Sequence, residues 1–147
     1  MDAKENMLLA AFYGGVAITS SGTTAVHALS YPLGGRHHIA HGVSNAMLLA
    51  PVMRFNMPAC TDRLAQIHDA VCPNGSALSP HKKAEAVVSR LEEIVRTLDI
   101  PSLSSFGISA DELASLAQAG LEVRRLMVNN PRVMTLDEAI AIYKEAL

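Results

Sequence analysis

HALSYPLGGRHHIAHGVSNA, residues 27–46, gathers four of the chain's six histidines around a Pro-Leu-Gly-Gly interruption. Neutral imidazole is a common protein ligand for divalent transition metals, so the cluster poses a metal hypothesis. Two geometries are open. If residues 37–41 were helical, His37 and His41 would stand one turn apart on one face, as in helical zinc sites. No Glu follows His37, however, and Gly34-Gly35 just upstream favour a loop. The other geometry pairs His27, on one helix, with His41, at the start of the next. Each has a plainer counterpart. A histidine on an apolar helix is more often a hydrogen-bonded core group than a ligand. His41 before Gly42 can simply start a helix, and His37 and His38 beside Arg36 read as a solvated loop tip. His68 and His81 lie on amphipathic segments without metal-binding neighbours and read as surface residues.

On either side of this stretch, apolar residues recur at helical spacing. ENMLLAAFYGGVAIT (5–19) is apolar nearly all round, which predicts a buried helix. Ser20-Ser21-Gly22 marks a break, after which Thr23 or Thr24 can cap a helix carrying His27 to Tyr31. Pro32 should disturb that helix and Gly34-Gly35 should end it. GVSNAMLLAPVMRFN (42–56) reads as a second buried helix, kinked by Pro51. TDRLAQIHDAV (61–71) reads as a short helix with Thr61 as N-cap. Ser79-Pro80 opens a long helix to about Leu98, Ser capping and Pro in the first turn. Ser109 with Glu112, and Thr135 with Glu138, have the spacing of capping boxes. No segment alternates with period two over a strand's length, so the expectation is an all-α multi-helix bundle in one domain, residues 1–147, without internal repeat or linker.

Composition agrees. Half of the 147 residues are hydrophobic, only 4% are aromatic and Trp is absent, a balance that suits packed helices. A formal net charge of −2 makes no case for nucleic acid or an anionic membrane as partner. Cys60 and Cys72 have no metal or redox spacing and read as small buried groups or free thiols in a reducing cytoplasm. The acidic start MDAKEN is unlike a signal peptide. Met7 to Thr19, the longest apolar run, is broken by Gly14-Gly15 and is shorter than the roughly 20 residues that span a bilayer. A soluble cytoplasmic protein is expected.

Residues 23–56 resemble the signature of the iron-containing (group III) alcohol dehydrogenase family: a helix bearing a metal-binding His, then Pro-Leu-Gly, then a His-Gly opening a helix that contains Asn-Ala. Here these are His27-Ala28, Pro32-Leu33-Gly34, His41-Gly42 and Asn45-Ala46. MLLAAFYGGVAITSSGTTAVHA (7–28) is similar to the helix and turn before that signature, and NNPRVMTLDEAIAIYKEAL (129–147) to the family's last loop and helix. The resemblance is looser from 60 to 128. It implies the carboxy-terminal helical domain of such an enzyme, with a dehydroquinate synthase-like α-domain, and His27 and His41 as metal ligands. The family's other two ligands, an Asp and a His from one earlier helix, have no counterpart, because no Asp-x-x-x-His occurs. A Gly-rich strand-to-helix nucleotide turn is absent too. The whole enzyme would be roughly 2.5 times longer.

The resemblance further implies an oxidoreductase in which a divalent metal, Fe2+ or Zn2+, polarises the oxygen of a small-molecule alcohol or aldehyde while hydride passes to or from NAD or NADP. The nucleotide would be bound mainly by the missing dinucleotide-binding domain. One turn after the first ligand, many members carry a second His that relays a proton; here it is Tyr31, a candidate catalytic group. A phenol still donates and accepts, but with a reference pKa of about 10 it relays protons less readily near neutrality than imidazole, and Tyr31 packing beside Pro32 is an equal reading. Ala40 replaces the usual Pro before the second ligand, which should loosen the loop. Thr23, Thr24 or Ser44 are candidates to orient the imidazoles. The isolated chain should be inactive and, with apolar surface uncovered, a homo-oligomer. Two alternatives stand beside this reading: a non-catalytic helical interaction domain, and a self-contained zinc site of His37, His38 and His41.

Overall fold

The computed structural model describes residues 2–72 and 77–147. Seven α-helices follow one another among them: α1 (Asp2–Ser21), α2 (Ala25–His37), α3 (His41–Val71), α4 (Pro80–Thr97), α5 (Leu113–Leu121), α6 (Arg124–Met127) and α7 (Leu136–Glu145). Two 3-10 turns, Leu103–Phe106 and Ala110–Glu112, join α4 to α5. No strand occurs among the described residues, so the all-helical expectation holds.

α2 is the centre of the bundle. Its Ala25, Leu29 and Leu33 are fully buried against Leu48 and Val52 of α3, Leu116 of α5 and Tyr143 of α7. The helices come close because Gly120 of α5 has no side chain: a Cβ there would lie 2.7 Å from Leu29 Cδ2 and 3.1 Å from Leu29 Cα. A smaller cluster of Leu64, Ala84 and Val88 holds α4 on the far half of α3. Arg54 of α3 pairs with both Glu92 of α4 and Glu145 of α7.

The local helix signals behave as read. Ser79 Oγ accepts the Lys82 N–H at 3.4 Å. Glu112 accepts the Ser109 N–H at 3.2 Å, and Glu138 the Thr135 N–H at 2.9 Å. His81 is exposed, and Cys60 and Cys72 are free.

Five expectations need correction. Helix α2 runs through Pro32, Gly34 and Gly35 to His37, and His38 ends it in the left-handed conformation (φ 55). Pro32 removes one backbone bond, but it is itself buried between Leu29 and Leu33, and core packing outweighs that loss. Likewise α3 continues past Pro51 and Pro58, broken only at Cys60 (φ −138, ψ 25). A second helical run does begin after that break, as read over 61–71, but Thr61 does not cap it: its hydroxyl donates back to the Met57 carbonyl at 2.8 Å. His68 is buried, 8% exposed, with Nδ1 3.2 Å from Asp69, which also pairs with Lys83 of α4. Finally, α1 buries none of its residues: Met7, Leu8 and Phe12 are each about two-thirds exposed. An apolar helix is buried only if something packs on it, and no described element covers α1. No described helix is long and apolar enough to cross a membrane.

Candidate metal centre

Helix α2 carries His27 and Tyr31, and α3 carries His41 and Asn45. Each pair is one turn apart and so shares a helix face. Because α2 and α3 pack together through the core, the pairs meet. The His27 and His41 rings lie 5.2 Å apart between centroids at an angle of 58°, and the Tyr31 ring is 6.0 Å from that of His41. Asn45 Nδ2 stands 3.1 Å from His41 Nε2 and 3.4 Å from His27 Nε2. An amide nitrogen donates and does not accept, so in this arrangement each Nε2 is placed to accept from it.

The backbone around the pair is held from several sides. Gly22 ends α1 with φ 68, and Asn129 donates to the Thr23 carbonyl at 3.4 Å. Ser30 Oγ donates to the His27 carbonyl at 2.9 Å. Ala40, before His41, adopts φ −55 and ψ 136, the dihedrals of a proline. The loop residue Ile39 beside it is buried.

The electrostatics favour a neutral His27. Burial, and secondarily the adjacent His41, lower the pKa of His27 below its ordinary 6.5. The neutral imidazole is the form that ligates. A groove of about 540 Å³ opens beside His27 and Asn45, walled by apolar side chains such as Ile18, Val26, Leu49 and Met53.

Several expected partners lie elsewhere. Ser44 donates to the carbonyl of Ala40 at 3.3 Å, within its own helix. Thr23 and Thr24 line the groove, yet among the described residues neither bonds an imidazole. His37 is the last residue of α2 and faces Glu112 at 3.4 Å, so it is not a loop tip, while His38 is exposed. Among the described residues no three His, Cys, Asp or Glu side chains gather, so His37, His38 and His41 form no self-contained zinc site. Two site residues escaped sequence reasoning. Asn45 was read only as part of the Asn-Ala element of the signature, although its place four residues after His41 sets the two on one helix face. Arg125 had none: its Nη2 donates to the Tyr31 hydroxyl at 3.4 Å from α6.

Two imidazole lone pairs aimed at one point, beside a buried carboxamide oxygen without a partner, Asn45 Oδ1, are a donor set that fits a divalent transition metal. A complete site needs further ligands.

Residues 1–147 match the family model described as Fe-containing alcohol dehydrogenase family, C-terminal. The chain is 39% identical over 145 residues to long-chain-alcohol dehydrogenase 1 of Geobacillus thermodenitrificans, covering 98% of this chain and 37% of that protein. It is 32% identical over 148 residues to the NAD-dependent methanol dehydrogenase of Bacillus methanolicus, covering 100% and 39% respectively. A crystal structure of 1,3-propanediol oxidoreductase superposes with a TM-score of 0.78 at 30% identity, over 84% of this chain and 32% of that one. The chain therefore spans little more than a third of the length of these relatives.

Proposed function

Because the chain belongs to the Fe-containing alcohol dehydrogenase family, as its C-terminal part, we propose that it is the metal-binding portion of an NAD- or NADP-dependent enzyme interconverting a primary alcohol and its aldehyde. The observation that carries this reading is the convergence of the His27 and His41 Nε2 atoms on one position. These two imidazoles would hold the metal, ferrous iron with zinc as the alternative. When bound, such an ion supplies Lewis acidity toward the substrate oxygen.

The chain's own side chains have distinct parts to play. Burial keeps His27 in the neutral form that ligates. Tyr31, against His41, holds a proton on its phenol oxygen and can donate it to, or accept it from, the substrate oxygen. Arg125 donates to that same phenol oxygen and orients it. The apolar groove takes the hydrocarbon part of the alcohol and keeps water from one side of the reacting carbon.

Two further ligands and the nucleotide site would come from residues outside these 147, since the sequence contains neither an Asp-x-x-x-His nor a Gly-rich turn. The chain alone should therefore turn over little or no alcohol. The dinucleotide-binding portion of such an enzyme would be its first partner, and self-association through the bare α1 surface belongs to the same proposal. A cytoplasmic setting, where Cys60 and Cys72 stay reduced, belongs to the same proposal.

The test compares the full-length enzyme with its His27→Ala and His41→Ala variants, reading bound iron and zinc and the turnover of primary alcohols with NAD and NADP. Loss of metal and turnover together, with helix content intact, is expected. Metal and activity unchanged in the double variant would sink the assignment and favour a non-catalytic helical interaction domain.

A further inference from the structure

We propose that Arg125 makes the site selective for short alcohols and aldehydes with a carboxylate at the far end, its guanidinium binding that carboxylate while the reacting oxygen stands at Tyr31. The proposal rests on the dehydrogenase reading, in which the Tyr31 phenol meets the substrate oxygen.

The single-turn helix α6 brings Arg125 beside α2. Arg125 Nη2 donates to the Tyr31 phenol oxygen at 3.4 Å, and the guanidinium carbon lies 5.8 Å from the centre of that ring. A guanidinium carries five N–H donors, so one contact with a neutral oxygen leaves most of its fork open. Other arginines of the chain find carboxylates: Arg54 pairs with Glu92 and Glu145, Arg90 with Glu93, and Arg132 with Glu138. Among the described residues Arg125 has no such partner, and neither has its neighbour Arg124. Glu122, the acid nearest to them in sequence, accepts instead from Gln118 at 3.2 Å. A permanently charged, planar fork without a counter-ion, one phenol away from the imidazole pair, suits a carboxylate.

The spacing limits the ligand's length. With 3.4 Å between the phenol oxygen and Nη2, a hydroxyl bound to the first and a carboxylate bound to the second stand at most about 9 Å apart. An extended chain advances roughly 1.2 Å per bond, so about six carbons are the limit. Neither Tyr31 nor Arg125 lines the apolar groove, so this anchor is separate from the surface that takes hydrocarbon. The bond changes are those of the proposed reaction. The carbinol carbon gives a hydride to NAD+ or NADP+, the hydroxyl proton leaves to water by way of Tyr31, and the carboxylate is unchanged.

The experiment measures kcat/KM of the full-length enzyme for 4-hydroxybutanoate and 1,4-butanediol, which share a chain and differ in the terminal group. Wild type should favour the acid by about tenfold or more, the scale of one hydrogen bond to a charged group. Arg125→Gln should abolish that preference, and Arg125→Glu should favour 4-amino-1-butanol over 4-hydroxybutanoate. Both variants also lose the contact that orients Tyr31, which slows all substrates alike, so the ratios are read rather than the rates. A wild-type ratio near one overturns the proposal and leaves the dehydrogenase reading intact, and this result depends on no variant folding. An effect of Arg125→Gln confined to the KM of NAD or NADP also overturns it, assigning the guanidinium to a cofactor phosphate. If no primary alcohol is oxidised at all, the dehydrogenase reading is itself wrong and the selectivity falls with it.

Discussion

Tyr143 of α7 donates its phenolic hydrogen bond to the carbonyl of Leu29 on α2, across 114 residues of sequence. The last helix is thereby tied to the one that carries His27. Burial pushes the Tyr143 pKa well up, so the hydroxyl stays protonated and remains a donor.

Tyr143→Phe keeps the ring and deletes that bond. The expected cost is about 1 kcal/mol, the usual net worth of one such hydrogen bond, and a fall in Tm of roughly 2–4 °C for a chain of this size. Thermal melts of the two proteins check it; equal midpoints would mean that the bond contributes nothing to stability.

Ala40 already holds the φ of a proline, at −55. Its N–H is not among the backbone donors of the loop, so a ring at that nitrogen displaces no hydrogen bond. Ala40→Pro should therefore stabilise the chain by about 0.4–1 kcal/mol, by narrowing the unfolded ensemble. Denaturant midpoints measure this. A destabilised variant would mean that Ile39 cannot adopt the conformation required before proline.

Glu138 gives the chain an acid-sensitive contact. The backbone N–H of Thr135, then its hydroxyl and, more weakly, the Arg132 charge hold the Glu138 carboxyl below its ordinary 4.5. A carboxylate whose pKa is lower folded than unfolded contributes stability above the unfolded value, and the contribution is lost as pH falls through the folded one. Stability should therefore decline below about pH 4.5, and less steeply in Glu138→Gln. Urea midpoints collected from neutral pH downward decide it, and identical acid slopes in both proteins would place the sensitivity elsewhere.

The uncovered α1 should make the chain associate with itself. Leu8 and Phe12 are 71% and 65% exposed on a helix without a polar face, and contiguous apolar surface of this kind drives association. Leu8→Glu with Phe12→Glu should shift the chain toward monomer in sedimentation velocity. A wild-type chain already monomeric at tens of micromolar would contradict the expectation.

What was legible in the residues alone was local or carried by a motif. The caps at Ser79, Ser109 and Thr135 could be read because each partner lies three positions away, within reach of a single helical turn. His27 and His41 could be paired because their helix-loop-helix frame resembles a known family. The tertiary structure decided the rest. Pro32 and Gly34-Gly35 look like a helix end until Leu29 and Leu33 are seen locked in the core. Gly120 carries no special signal until Leu29 is found against its backbone. His68 is inside because α4 packs on that half of α3. Asn45 and Arg125 join the site because neighbouring helices bring them there, and α1 is bare because nothing described lies over it. Periodicity states which face of a helix is apolar; only the packing of other elements determines whether that face meets protein or water, and burial, ligand convergence and hydrogen-bond partners all follow from that contact.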